Sequence, residues 1–157
     1  MKKKFLLDTN TLSSLLQKYA DYHAIISSKV SSINDDDEIY VSIVSIYEME
    51  YGARHAKDID MANEMRTAVE SAKNNFNILG LTEKGAKIFA EIKECYKQKA
   101  NLGKKAIIKH NVDLMIASTA LEIGAILVSN DPKIFGLIQK IQSDFQWENW
   151  TKLEKNI

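Results

Sequence analysis

Four carboxylates in this chain stand where an apolar segment meets a loop: Asp8, Glu48, Asp113 and Asp131. Asp8 ends the run Phe5-Leu6-Leu7, and Asp131 follows Ile126-Leu127-Val128-Ser129-Asn130. Glu48 lies one turn into a helical segment behind a second apolar run, and Asp113 heads a segment that is apolar nearly all round. In parallel α/β sheets ligands bind in the crevice beyond the carboxyl ends of the strands, where such acids would meet. Each acid also has an ordinary structural explanation. Asp8 suits a helix N-cap, as does Asn10. Ser45-Ile46-Tyr47-Glu48 matches a capping box, with Glu48 reaching back to the Ser45 amide. Asp113 suits the positive end of its own helix dipole, and Asp131 before Pro132 suits an N-cap with proline at the first helical position.

Taken together, these explanations weaken. Asp113 shares a stripe with Ile116, Ala117 and Ala120, where an unpaired carboxylate is costly unless a cation or a donor meets it. Carboxylates gathered in one crevice repel one another, and divalent metal is the usual resolution. Hard Mg²⁺ or Mn²⁺ prefers carboxylate oxygen and water to imidazole or thiolate. His23, His55 and His110 show no metal-ligand spacing; the first two read as surface residues, and Cys95 as an inert thiol within a helix.

The elements that must position these acids alternate between short apolar runs and longer helical ones, which points to an α/β fold with a mostly parallel sheet. Strands are expected at Lys4–Leu7, Ile39–Val44, Phe76–Leu79 and Ala125–Ser129, with an edge strand at Phe145–Trp147. A helix with Leu12, Leu15, Leu16 and Tyr19 on one stripe follows the first strand, and another covers Tyr22–Ile33. Ser45 opens a helix to about Lys57, and Met61–Lys73 continues helically. Thr82 caps a helix from Glu83 to Ala100, its inner stripe expected at Ala86, Phe89, Ala90 and Ile92 or Lys93. The segment Val112–Ile123 reads as a buried helix ended by Gly124, and Pro132 starts a short helix to Ile141. Asp35-Asp36-Asp37-Glu38 reads as a solvated acidic turn.

The chain's 157 residues fit one domain, 1–157, with no repeat, linker or low-complexity tract. One cysteine permits no intrachain disulfide, and the expected setting is a reducing cytoplasm. The apolar run after Lys2-Lys3-Lys4 is too short for a signal peptide, and no segment is long enough to span a bilayer. With 21 basic and 21 acidic residues the net charge is zero, so any case for a nucleic-acid partner must rest on local patches. One such patch lacks acids between Glu94 and Asp113 and gathers Lys97, Lys99, Lys104, Lys105, Lys109 and His110; by itself it reads as a solvated helix end and loop.

The segments Phe5-Leu6-Leu7-Asp8-Thr9-Asn10, Ser45-Ile46-Tyr47-Glu48-Met49-Glu50-Tyr51-Gly52, Asn111-Val112-Asp113-Leu114-Met115-Ile116-Ala117 and Leu127-Val128-Ser129-Asn130-Asp131 resemble, in order and spacing, the motifs of PIN-domain proteins, and in particular the VapC and FitB toxins. Trp147-Glu148-Asn149-Trp150 resembles the tail of that branch, so the likeness covers essentially the whole chain. It implies a three-layer α/β/α fold and a Mg²⁺- or Mn²⁺-dependent endoribonuclease, homodimeric and neutralised by a small antitoxin protein. It also implies that Asp8, Glu48, Asp113 and Asp131 form the metal site, with Asn10 and Ser129 as supporting polar groups. The family often carries threonine where Ser129 stands, and serine keeps the hydroxyl. Under this resemblance the lysines at 97, 99, 104, 105 and 109 would hold RNA phosphates, with His110 at most an RNA contact, while Tyr47, Tyr51 and Trp147 would be core or interface residues, or platforms for unpaired bases. Two alternatives stand beside it. An inactive PIN-like interaction module would use the acids only as caps, and a haloacid-dehalogenase-like phosphatase would need a second acid where Asp8-Thr9-Asn10 has asparagine.

Overall fold

The computed structural model of the protein describes residues 1–152; the end of the expected domain, 153–157, lies outside the described residues. Five strands form one all-parallel sheet in the order β3-β2-β1-β4-β5. They are β1 (Lys4–Leu7), β2 (Glu38–Ser42), β3 (Asn77–Leu79), β4 (Ile126–Val128) and β5 (Gln146–Glu148). The helices are α1 (Thr9–Leu16), α2 (His23–Ser32), α3 (Ile43–Arg54), α4 (Ile59–Asn75), α5 (Glu83–Lys99), α6 (Lys104–Ile108), α7 (Asn111–Ile123) and α8 (Pro132–Ile141).

Both faces of a parallel sheet must be covered, and alternation along β1 distributes its side chains between two cores. Phe5 and Leu7 join Leu12 of α1, Ile26 of α2, Met49 of α3 and Val69 of α4. Leu6 faces the other way, toward Ile92 and Tyr96 of α5, Ile107 of α6, Leu114 and Ala117 of α7 and Phe135 of α8. The result is the three-layer α/β/α sandwich expected, with β1 at its centre. The chain first winds outward from β1 to β3, then crosses back to β4 and β5. The junction of β1 and β4 is therefore the switch point where such sheets open a crevice at the carboxyl ends of their strands.

Several local expectations need correction. The second strand stops at Ser42, and α3 starts two residues earlier than expected, because Ser42 rather than Ser45 caps it by accepting the Val44 amide at 3.1 Å. The buried stripe of α5 runs through Gly85, Ile92 and Tyr96, while Ala86 and Ala90 are exposed. Gly85 explains the choice of face: a Cβ there would lie 3.0 Å from Glu122 of α7, so the bare backbone lets the helices approach. The basic segment after Ala100, expected as loop, contains the short helix α6, which anchors Ile107 in the core. The acidic turn is more than solvated charge, since Asp37 accepts the Lys3 amide at 2.8 Å and ties the turn to the start of β1. His23 is half-buried, its Nδ1 lying 3.1 Å from the Ser14 carbonyl. His55 is exposed, as is Cys95 within α5. Gly124 ends α7 at φ 65°, a left-handed conformation that glycine takes without a Cβ penalty.

Candidate active site

Asp8 leaves the end of β1 and is buried. One of its oxygens caps α1 by accepting the Thr11 amide at 2.8 Å, so the helix start fixes the direction of the carboxylate. Across the switch point, the buried Ser129 joins the first and last acids. Its hydroxyl accepts the Asp131 amide at 3.1 Å and works to hold the Asp8 carboxyl pKa down. Asp131 in turn caps α8, accepting the Ile134 amide at 3.2 Å ahead of Pro132. Capping and membership of an acidic site are thus compatible, because a carboxylate that gives one oxygen to a helix start keeps the other.

Glu48 has no part in a capping box. It projects, exposed, from the second turn of α3 and meets the Thr9 hydroxyl, which also lies 3.0 Å from the Ser45 hydroxyl. A threonine hydroxyl has one proton, so Thr9 donates to the Glu48 carboxylate and accepts from Ser45. Thr9, adjacent to Asp8, therefore holds Glu48 toward the end of β1. Sequence reasoning passed over Thr9, which stands between Asp8 and Asn10 but meets Glu48 only through the fold.

Asp113 occupies the first turn of α7 and is half-buried. Burial raises its carboxyl pKa from an ordinary 3.8 to about 6, and the charges of Asp131, Asp8 and Glu48 push in the same direction. All four acids thus share one electrostatic neighbourhood, although they come from four separate elements. Burial also raises Asp8, against the hydrogen bonds from Ser129 and Thr11, with Asp131 adding to the rise. Beside them, the side-chain oxygen of Asn111 is buried without a hydrogen-bond partner.

The donor chemistry suits a hard cation: carboxylates whose charges act on Asp113, and an unpartnered amide oxygen two residues from it. The side chains are not closed into a cage. Among the described residues, no group of three or more His, Cys, Asp or Glu is arranged so that it could hold a metal ion.

Two openings flank the acids. A polar cavity of about 520 Å³ reaches from Asp8 and Asp131 along α1. An apolar groove of about 740 Å³ runs past Glu48 between Tyr47, Tyr51, Leu81 and Met115. Tyr47 and Tyr51 are 72% and 68% exposed, so neither is a core residue, whereas Trp147 packs against the core. Asn10 is exposed on the wall of the polar cavity. The expected lysines lie along α5 and α6, and Lys97 and Lys104 line a shallow depression with Ile107 and Ile108. Lys109, at the C-cap of α6, acts on His110, which also feels Asp131. Burial lowers the His110 pKa, Lys109 and Lys133 lower it further, and Asp131 opposes them. Lys133, at the start of α8, lies outside the basic segment and acts on His110 through the fold.

A family model described as PIN domain matches residues 5–139. The chain is 30% identical over 149 residues to Ribonuclease VapC1 of Haemophilus influenzae strain R2866, covering 94% of this chain and 98% of that protein. Its fold matches that of VapBC-1 from nontypeable Haemophilus influenzae, with a TM-score of 0.72, 26% identity and coverage of 95% of this chain and 99% of the other. It also matches FitAcB from Neisseria gonorrhoeae, with a TM-score of 0.71, 21% identity and coverage of 95% and 99%. The acids that gather at the switch point all fall within the matched span, and the chain belongs to the PIN domain family.

Proposed function

We propose that this chain is a Mg²⁺- or Mn²⁺-dependent endoribonuclease and the toxin of a toxin–antitoxin pair. The observation that carries the reading is the convergence of Asp8, Glu48, Asp113 and Asp131, from four elements, into one neighbourhood that raises the Asp113 carboxyl to about 6. The relative named Ribonuclease VapC1 supports the choice of substrate, and the likeness to the complex VapBC-1 supports a small antitoxin as partner. Homodimerisation and a cytoplasmic setting belong to the same reading; no helix among the described residues is long and apolar enough to cross a membrane.

Asp8, Asp113, Asp131 and Glu48 would hold the cation, with Ser129 and Asn10 as supporting polar groups. When bound, a divalent cation polarises the scissile phosphate and acidifies water beside it. Ser129 stands between Asp8 and the Asp131 backbone, where its hydroxyl favours the ionised form of Asp8. Thr9 aims Glu48, whose exposed carboxylate orients the attacking water and accepts its proton. Lys97, Lys99, Lys104, Lys105 and Lys109 attract the RNA backbone, which makes binding weaken as salt rises.

The test is cleavage of structured RNA by purified protein with Mg²⁺ or Mn²⁺, with EDTA, and with Asp8→Asn and Asp113→Asn. Metal-dependent cleavage lost in both variants is the expected result. Cleavage in excess EDTA, or wild-type rates in both variants, contradicts it.

A further inference from the structure

The polar cavity beside Asp8 and Asp131 has a composition that the cleavage chemistry does not require. Asn10, Ser13, Ser14 and Gln17 line it at helical spacing along and just beyond α1, so one face of that helix is devoted to the cavity. The opposite face sends Leu12 into the core. A helix face that is merely solvated usually carries lysine, glutamate or arginine; this one carries only amides and hydroxyls. Each amide offers both a donor and an acceptor, and each hydroxyl can serve as either. Beyond α1, Tyr19 and Tyr22 stand at the lip of the cavity, 85% and 42% exposed.

The charges around the cavity decide what enters it. Its acidic side chains are Asp8, Asp21 and Asp131, and among the described residues no lysine, arginine or histidine lines it. A phosphate would be repelled from its depth, while a neutral group with hydrogen-bonding edges would be accepted. A volume of about 520 Å³ suits a small ligand or a single nucleoside, and a double helix could not follow it in. Aromatic rings at the lip add flat surfaces on which a base can stack.

Given the ribonuclease reading, on which this rests, we propose that this cavity takes one unpaired base of the RNA, swung out beside a phosphodiester that a cation on the acids would engage at the cavity's mouth. A paired base has its hydrogen-bonding edge occupied by its partner and stays in the stack. An unpaired one brings that edge to Gln17, Ser13 and Ser14 and a face to Tyr19. The base next to the cut bond then contributes to selection through the cavity that receives it.

The experiment starts from a pool of stem–loop RNAs with randomised loops, cleaved by the wild-type protein in Mn²⁺. The loops that are cut are remade with a single abasic nucleotide on either side of the bond. Removal of the base on one side should lower kcat/KM about tenfold or more, the scale of losing one stacked base. Gln17→Ala and Tyr19→Ala should each slow cleavage of the intact RNA by a similar factor yet have little further effect on the abasic one, with melting temperatures unchanged. Equal slowing of intact and abasic RNA by the variants, or indifference to base removal on both sides, overturns the proposal and leaves the ribonuclease reading standing. Variants that cut normally but lose tenfold in affinity for the cognate antitoxin assign the cavity to that protein and equally overturn it. If the wild type cuts none of the pool in a metal-dependent way, the ribonuclease reading fails and the base subsite falls with it.

Discussion

Replacing Asp113 by asparagine tests the acidic neighbourhood without any substrate. The gap between an ordinary 3.8 and about 6 corresponds to at most about 3 kcal/mol against the ionised native state, at ~1.4 kcal/mol for each tenfold change in proton affinity. Asp113 is half-buried, and solvent screening of that partly exposed group reduces the figure to roughly 1 kcal/mol. The sign follows from the direction of the shift. The native state keeps its proton to higher pH than the unfolded chain, so this group's contribution is complete below about pH 4 and is lost as pH rises through about 6. In EDTA, Asp113→Asn should therefore melt with the wild type near pH 4 and about 2–4 °C above it at pH 7.5. Added Mn²⁺ should reverse the order at pH 7.5. Wild type gains about 2.7 kcal/mol when metal is in hundredfold excess over its dissociation constant, and the variant gains much less. Protons compete with the cation for the same carboxylates, so more Mn²⁺ should be needed at pH 5 than at pH 7.5. Paired melting curves at several pH values provide the measurement. A variant that melts below the wild type at pH 7.5 in EDTA refutes the repulsion argument, and an unchanged wild-type midpoint at millimolar Mn²⁺ refutes the metal site.

Glu48→Gln should abolish RNA cleavage with no change in melting temperature, because Ser42, not Ser45 with Glu48, caps α3; full activity in this variant would remove Glu48 from the site. Thr9→Val should slow cleavage roughly tenfold by freeing Glu48, about the value of one hydrogen bond to a charged group, and Thr9→Ser should restore it; equal rates in Thr9→Val and wild type would show that Glu48 needs no holder. Gly124→Ala should lower the melting temperature about 2–4 °C, since alanine at φ 65° costs roughly 1 kcal/mol, and an unchanged midpoint would contradict the strain. Expression in a bacterial host should arrest growth, relieved by Asp8→Asn or by the cognate antitoxin; arrest that persists with Asp8→Asn would separate toxicity from the acids.

Much of this was legible in the chain because a parallel sheet writes strong local signals. β1 and β4 are short apolar runs that end at acids, and both are buried as they read. The apolar character of α7 correctly announced a central helix. Errors arose where a local pattern competed with a tertiary one. Ser45 and Glu48 satisfied the spacing of a capping box, yet Ser42, three residues earlier at the end of β2, took the role. Alanines in α5 looked like an inner stripe, but the close approach to α7 at Gly85 set which face turned inward. Thr9 and Lys133 act on Glu48 and His110, far away in sequence, and no window on the chain displays such contacts.

The junction of β1 and β4 is also a division of labour along the chain. Everything before Gly80 builds β1–β3 and α1–α4 and brings Asp8 and Glu48; everything after it builds α5–α8 with β4 and β5 and brings Asp113 and Asp131. Each half is thus one helical layer, part of the sheet and two of the four acids. Neither half alone has a site. When the halves dock, Leu7 pairs with Val128, and Ser129 then reaches Asp8. The acidic centre is in this sense a logical conjunction of two fragments, so that cutting the chain in the exposed loop at Gly80–Leu81 should yield pieces that are silent apart and active only when joined.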